Sequence, residues 1–138
     1  VLFRSRLRML AELGPQGMAE QRGAALLSPG ASAEAIDLVK WSMARVNPGG
    51  YEQAVRMLAE GRLAEDAARY SAGPVSVMCG SEDTVTPEEG CRRIAAACRG
   101  AEYRSLPGLG HASYVETPRM VAAEMARFMN QQHASQQQ

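Results

Sequence analysis

The chain has 138 residues, enough for one ordinary domain or part of a larger one. Its 15 basic and 15 acidic residues balance, and neither sign clusters: residues 1–70 carry nine of the bases and eight of the acids. Hydrophobic residues make up 46%, which suits a globular core; the even charge argues against a nucleic-acid face or a polybasic membrane anchor, and no apolar run approaches the ~20 residues that cross a bilayer.

Residues 1–70 read as helices. One short helix over 6–13 stops at Gly14-Pro15, and a second over 16–27 closes at Ser28-Pro29-Gly30. Ser32 can cap a third helix, with Glu34 and Asp37 in its first turns, where negative charge suits the helix dipole. Ile36, Val39, Met43 and Val46 recur at steps of three and four, a one-sided apolar stripe. Asn47-Pro48-Gly49-Gly50 breaks it. A fourth helix carries Tyr51, Val55 and Leu58 on one face, and residues 63–69 make a short fifth.

The pattern changes at Gly73-Pro74. Residues 75–79, VSVMC, form a short apolar run between turn residues, the signature of a strand buried on both faces. Thr86-Pro87-Glu88-Glu89 reads as a helix start, with Thr86 as N-cap and Glu89 closing a capping box. Cys91, Ile94, Ala95 and Cys98 then share one face, and Gly100 ends the helix. Residues 102–106, EYRSL, alternate weakly, as a strand nearer the sheet edge would. Strand, helix, strand predicts a βαβ unit with two parallel strands. A final helix from Thr117-Pro118 is expected to bury Val121, Met125 and Phe128, with a polar, frayed tail after Asn130. Met43, Met57, Met120, Met125 and Met129 are expected to fill the core. Cys79, Cys91 and Cys98 are odd in number and lack metal spacing, so reduced, buried thiols of a cytosolic protein are expected and a metal is not.

Two loops carry the chemistry. In open α/β sheets, ligands sit beyond the carboxyl ends of the strands. Asp83 follows the first predicted strand by four residues and His111 follows the second by five, so both leave the same sheet edge. Neighbouring strands are only about 4.8 Å apart, which brings a carboxylate and an imidazole together. Such a pair can hold one ring tautomer while the other ring nitrogen acts as a general base. Glu82, next to Asp83, would point elsewhere. His133 lies in the tail and is expected to be inert. Trp41, on the third helix, is a candidate pocket residue, though a lone tryptophan on a helix more often simply packs.

These residues carry a resemblance. Gly80-Ser81-Glu82-Asp83, Pro87 at a helix start, Leu106-Pro107-Gly108-Leu109-Gly110-His111 and Glu116-Thr117-Pro118 resemble the C-terminal third of an α/β-hydrolase. The likeness spans nearly the whole chain but is specific only from about Pro74 to Pro118; with Asn47-Pro48-Gly49-Gly50-Tyr51 it lies nearest to enol-lactonase-like and esterase-like members. It implies Asp83 as the acid and His111 as the base of a nucleophile–acid–histidine triad. It implies a helical cap over 1–70, part of the hydrolase core over 71–130, and a disordered tail over 131–138. It further implies a small ester or lactone substrate that Trp41 would help to select, and no metal or organic cofactor. The family's nucleophile elbow, G-x-S-x-G, does not occur in the sequence. The nearest stretch, Gly30-Ala31-Ser32-Ala33-Glu34, lacks the second glycine. In the family the elbow precedes the cap, so the chain is expected to be a fragment, inactive alone. Two alternatives stay open: a non-catalytic helical or interaction domain, and a hydrolase with an aspartate nucleophile of the dehalogenase or epoxide hydrolase kind.

Overall fold

The computed structural model describes residues 2–135, and side chains over 5–134. The first half is helical. Helix α1 (Leu2–Arg22) is broken at Gly14, where φ is 64°, so it is two helices joined across a kink, as Gly14-Pro15 predicts. A 3₁₀ turn (Ala24–Leu26) follows, shortening the second predicted helix. Helix α2 (Ala33–Met43) starts at Ser32, whose side chain accepts the Ala35 N–H at 3.2 Å. Helix α3 (Pro48–Glu60) starts at Asn47, whose Oδ1 accepts the Gly50 N–H at 2.9 Å. Pro48-Gly49-Gly50 thus belongs to its first turn, because proline at the first helical position has no N–H to lose. Helix α4 (Leu63–Arg69) completes this half.

Strands β1 (Ser76–Gly80) and β2 (Glu102–Leu106) pair in parallel, with Cys79 opposite Ser105 and Gly80 opposite Leu106. Helix α5 (Glu88–Ala97) connects them and packs on both. The βαβ unit is as the sequence predicts. Burial of β1 is weaker than the apolar run suggests: only Cys79 and Gly80 are buried, and the residues before them are half-buried. A four-residue helix, α6 (Ser113–Glu116), follows the histidine, and α7 (Pro118–Ser135) ends the chain.

Several expectations change. Thr86 does not cap α5: Pro87 occupies the cap position with no side-chain hydrogen bond, and Glu89 instead pairs with Arg93 at 2.6 Å. Met125 is 52% exposed, and Met57, Met120 and Met129 are exposed too, so of the five methionines expected in the core Met43 alone is half-buried. For the three on α7 the reason is visible, because that helix meets β2 through charge: Arg104 pairs with Glu124 at 3.1 Å, and Arg127 pairs with Glu102. Val121, Glu124 and Phe128 therefore turn inward and Met125 turns out. The helix also continues past Asn130 to Ser135, with Arg127 bonded to Gln131 at 2.7 Å, where a frayed tail is expected. Glutamine and alanine are good helix formers, so nothing in the sequence stops it there. Residues 136–138 of that tail lie outside the described residues.

One apolar cluster matters for the site. Leu27, Ala35, Val39 and Ala112 are buried together, with Leu26, Ile36 and Val115 packed against them. Helix α2 therefore packs directly on the loop that carries His111.

Candidate active site

The site is built where the two loops after β1 and β2 cross. The Ser81 N–H donates to the Leu106 carbonyl at 3.0 Å, the Glu82 N–H to Leu109 at 2.9 Å, and the Gly108 N–H to Ser81 Oγ at 2.8 Å. Two glycines permit this contact. A Cβ on Gly80 would collide with the carbonyl oxygens of Leu109 and Gly110, and one on Gly110 would come within 2.5 Å of the Leu27–Ser28 peptide. The Ala112 N–H also donates to the Leu26 carbonyl at 2.8 Å, fixing the residue after the histidine to the helical half.

Within this frame Asp83 Oδ2 lies 2.9 Å from His111 Nδ1. The carboxylate is buried, its side chain 4% exposed, whereas that of the histidine is 38% exposed. Its other oxygen, Oδ1, accepts the Val85 and Thr86 N–H groups, each at 2.8 Å. Burial alone would push the Asp83 carboxyl up; the hydrogen bonds from Thr86, His111 and Val85 outweigh it and hold the group below the ordinary carboxylate value. Asp83 is therefore charged near neutral pH and can only accept. Facing it, a proton on Nδ1 would pair with the carboxylate and leave Nε2 with the lone pair that a general base needs. Glu82, by contrast, is exposed.

Asp83 and His111 meet, as their places after two parallel strands predict, and two supporting residues were hidden in the sequence. The Thr86 hydroxyl donates to Asp83 Oδ2 at 2.8 Å and sits 3.1 Å from His111 Nδ1. Asp83 three residues earlier was its signal, hidden by the stronger reading of Thr-Pro-Glu-Glu as a helix start. The Glu116 carboxylate accepts the Gly110 N–H at 2.7 Å and the Ser28 N–H at 3.0 Å, together with the Ser28 hydroxyl. No local pattern connects residues so far apart in the chain.

Trp41 is 56% exposed, with the Arg45 guanidinium stacked 4.2 Å from its ring centre. It lines a groove of about 320 Å³ with Leu38, Tyr114 and Val115, beside the histidine loop. A larger open groove of about 550 Å³ lies between α4 and α5 and reaches Thr86 and Cys91. Ser32, in the stretch nearest to a nucleophile elbow, is committed to capping α2. His133 lies on α7. Among the described residues no group of three metal-binding side chains gathers, and no helix is long and apolar enough to cross a membrane.

No protein-family model and no curated protein sequence matches the chain. Solved structures do. The chain is similar to an esterase from Thermogutta terrifontis (TM-score 0.82, 20% identity, covering 94% of this chain and 50% of that one). It is similar to an esterase from Exiguobacterium antarcticum (0.82, 12% identity, 93% and 47%). A third likeness is to the enol-lactonase from Burkholderia xenovorans (0.80, 17% identity, 93% and 50%). The chain thus spans about half the length of the solved structures it matches. A helical half followed by a parallel βαβ unit, superposing on these esterases over more than nine-tenths of its length, gives the chain the fold of the C-terminal part of an α/β-hydrolase.

Proposed function

We propose that the chain supplies the acid and the base of a serine-type hydrolase acting on a small carboxylic ester or lactone. The observation that carries the proposal is the buried Asp83 carboxylate 2.9 Å from His111 Nδ1 at the carboxyl edge of a parallel sheet. The esterases and the enol-lactonase among the similar structures support the substrate class. Residues 1–70 act as a helical cap, 71–130 as part of the catalytic core, and the nucleophile comes from outside the 138 residues.

In this mechanism a serine hydroxyl attacks the ester carbonyl while His111 Nε2 takes its proton. Asp83 holds the ring through Nδ1–H and stabilises the imidazolium that forms. Backbone N–H groups outside this chain hold the oxyanion. The imidazolium then protonates the leaving alkoxide, the acyl group stays on the serine, and water completes the cycle with His111 as base. The groove lined by Trp41, Leu38 and Tyr114 selects a small, largely apolar acyl group.

Covalent trapping tests the reading. The full-length protein treated with a fluorophosphonate should gain one phosphonyl group on a serine within a G-x-S-x-G sequence. Labelling of no serine, or equal labelling in the His111→Ala variant, overturns it.

A further inference from the structure

The geometry points to Thr86 as a positioning residue whose side-chain hydroxyl locks the Asp83 carboxylate and, through it, the ring tautomer of His111. This inference rests on the hydrolase reading for its consequence in turnover, but not for the contact itself.

Three polar atoms form a closed triangle. Thr86 Oγ1 lies 2.8 Å from Asp83 Oδ2 and 3.1 Å from His111 Nδ1, and the third side, Oδ2 to Nδ1, is 2.9 Å. The Thr86 backbone N–H also donates to the opposite carboxylate oxygen, Oδ1, at 2.8 Å. One residue therefore grips both oxygens. Rotating the carboxylate would break bonds to the backbone and the hydroxyl together, so Oδ2 stays aimed at the imidazole.

The direction of each bond follows from what the partners can do. Asp83 is ionised and donates nothing, so the proton between it and Thr86 is the hydroxyl's. With that proton committed, Thr86 Oγ1 turns a lone pair toward Nδ1. Two acceptors then face the same ring nitrogen, and the tautomer with a bare Nδ1 would set its lone pair against the carboxylate at 2.9 Å. The proton is held on Nδ1, and Nε2 is left free.

A helix-capping role would be the ordinary reason for threonine before Pro87-Glu88-Glu89. The structure rules it out, since Pro87 is the cap residue and α5 receives no side-chain hydrogen bond there. The β-branch of threonine also restricts its side-chain torsion, which suits a hydroxyl that has to meet two partners at once.

The variants separate hydroxyl from shape. Thr86→Val keeps the branched outline and the backbone N–H but removes the hydroxyl; Thr86→Ser keeps the hydroxyl; Thr86→Ala loses it with less bulk and serves if the valine variant does not fold. In full-length protein labelled with ¹⁵N-histidine, the His111 ring nitrogens should report a single Nδ1–H tautomer in the wild type and in Thr86→Ser. Thr86→Val should show a mixture. The kcat on a short-chain p-nitrophenyl ester should fall roughly ten- to a hundredfold in Thr86→Val, the worth of one hydrogen bond to a charged group, with KM nearly constant. Thr86→Ser should stay within about threefold of wild type. An unchanged tautomer in Thr86→Val overturns the inference, and so does an equal loss of kcat in the serine and valine variants. If instead Asp83→Asn and His111→Ala are silent in turnover, the hydrolase reading fails, while the tautomer comparison still decides what Thr86 does.

Discussion

The Glu116 carboxylate accepts hydrogen bonds from both the backbone N–H and the hydroxyl of Ser28, 88 positions earlier in the chain. The same carboxylate accepts the Gly110 N–H, so one side chain joins the helical half to the residue before His111. Glu116→Ala should destabilise the protein by about 1–3 kcal/mol, the cost of leaving such donors unpaired, and should loosen the histidine loop. Glu116→Gln should cost less, because its amide oxygen still accepts and its NH₂ can donate to the Ser28 hydroxyl. Denaturant unfolding of both variants checks this; equal stability of Glu116→Ala and wild type would contradict it.

Backbone crowding gives a second prediction. Gly80→Ala places a methyl against the carbonyls of Leu109 and Gly110, where backbone must move, and overpacking of this kind costs about 1–3 kcal/mol. Gly73→Ala, which meets nothing nearby, should be close to neutral. Thermal melts of the two should differ clearly, and indistinguishable melts would show that the loops do not approach as described.

Acid should weaken the fold through identifiable carboxylates. Asp83 is held below its ordinary value of 3.8, and Glu102 and Glu124, paired with Arg127 and Arg104, below 4.5. A depressed folded-state pKa means that the unfolded chain binds more protons in this range. The stabilisation is therefore complete above these ordinary values and disappears as pH falls through the lower folded ones. Asp83→Asn should flatten the acid limb of the stability profile by up to about one proton. An unaltered slope would mean that the buried carboxylate is not held as its hydrogen bonds indicate.

The thiols should differ in reactivity. Burial first, then the neighbouring Cys91 thiol and the Asp83 charge, push Cys79 up to about 12, and the thiolate is the reactive form. Cys91 is partly exposed in the groove between α4 and α5. Iodoacetamide on the native protein near neutral pH should alkylate Cys91 well before Cys79, as read by peptide mass spectrometry. Early labelling of Cys79 would count against its burial.

The sequence made the backbone plan legible where short-range signals agree. Gly14-Pro15, the Ser32 cap and the strand–helix–strand order all rest on local propensity, and the approach of Asp83 to His111 follows from parallel pairing alone. What it hid was decided by competition or distance. Thr86 fits a helix cap and a carboxylate clamp equally well in one dimension, and only the fold selects the second. Periodicity on α7 shows that a stripe exists, but Glu124 and Arg127 choose which stripe meets β2, leaving Met125 outside. Glu116 finds Ser28 across nearly two-thirds of the chain, where no spacing rule reaches.

The central proposal is that His111 acts as the base of ester or lactone hydrolysis with Asp83 orienting its ring, and steady-state kinetics on the full-length protein test it most directly. With a panel of short-chain esters and lactones, His111→Ala should lower kcat by several powers of ten and Asp83→Asn by about 10³–10⁴, since loss of either uncouples proton transfer from attack. The isolated 138-residue chain should show no turnover above buffer. A kcat within about tenfold of wild type for either variant, far less than triad loss normally costs, would contradict the account.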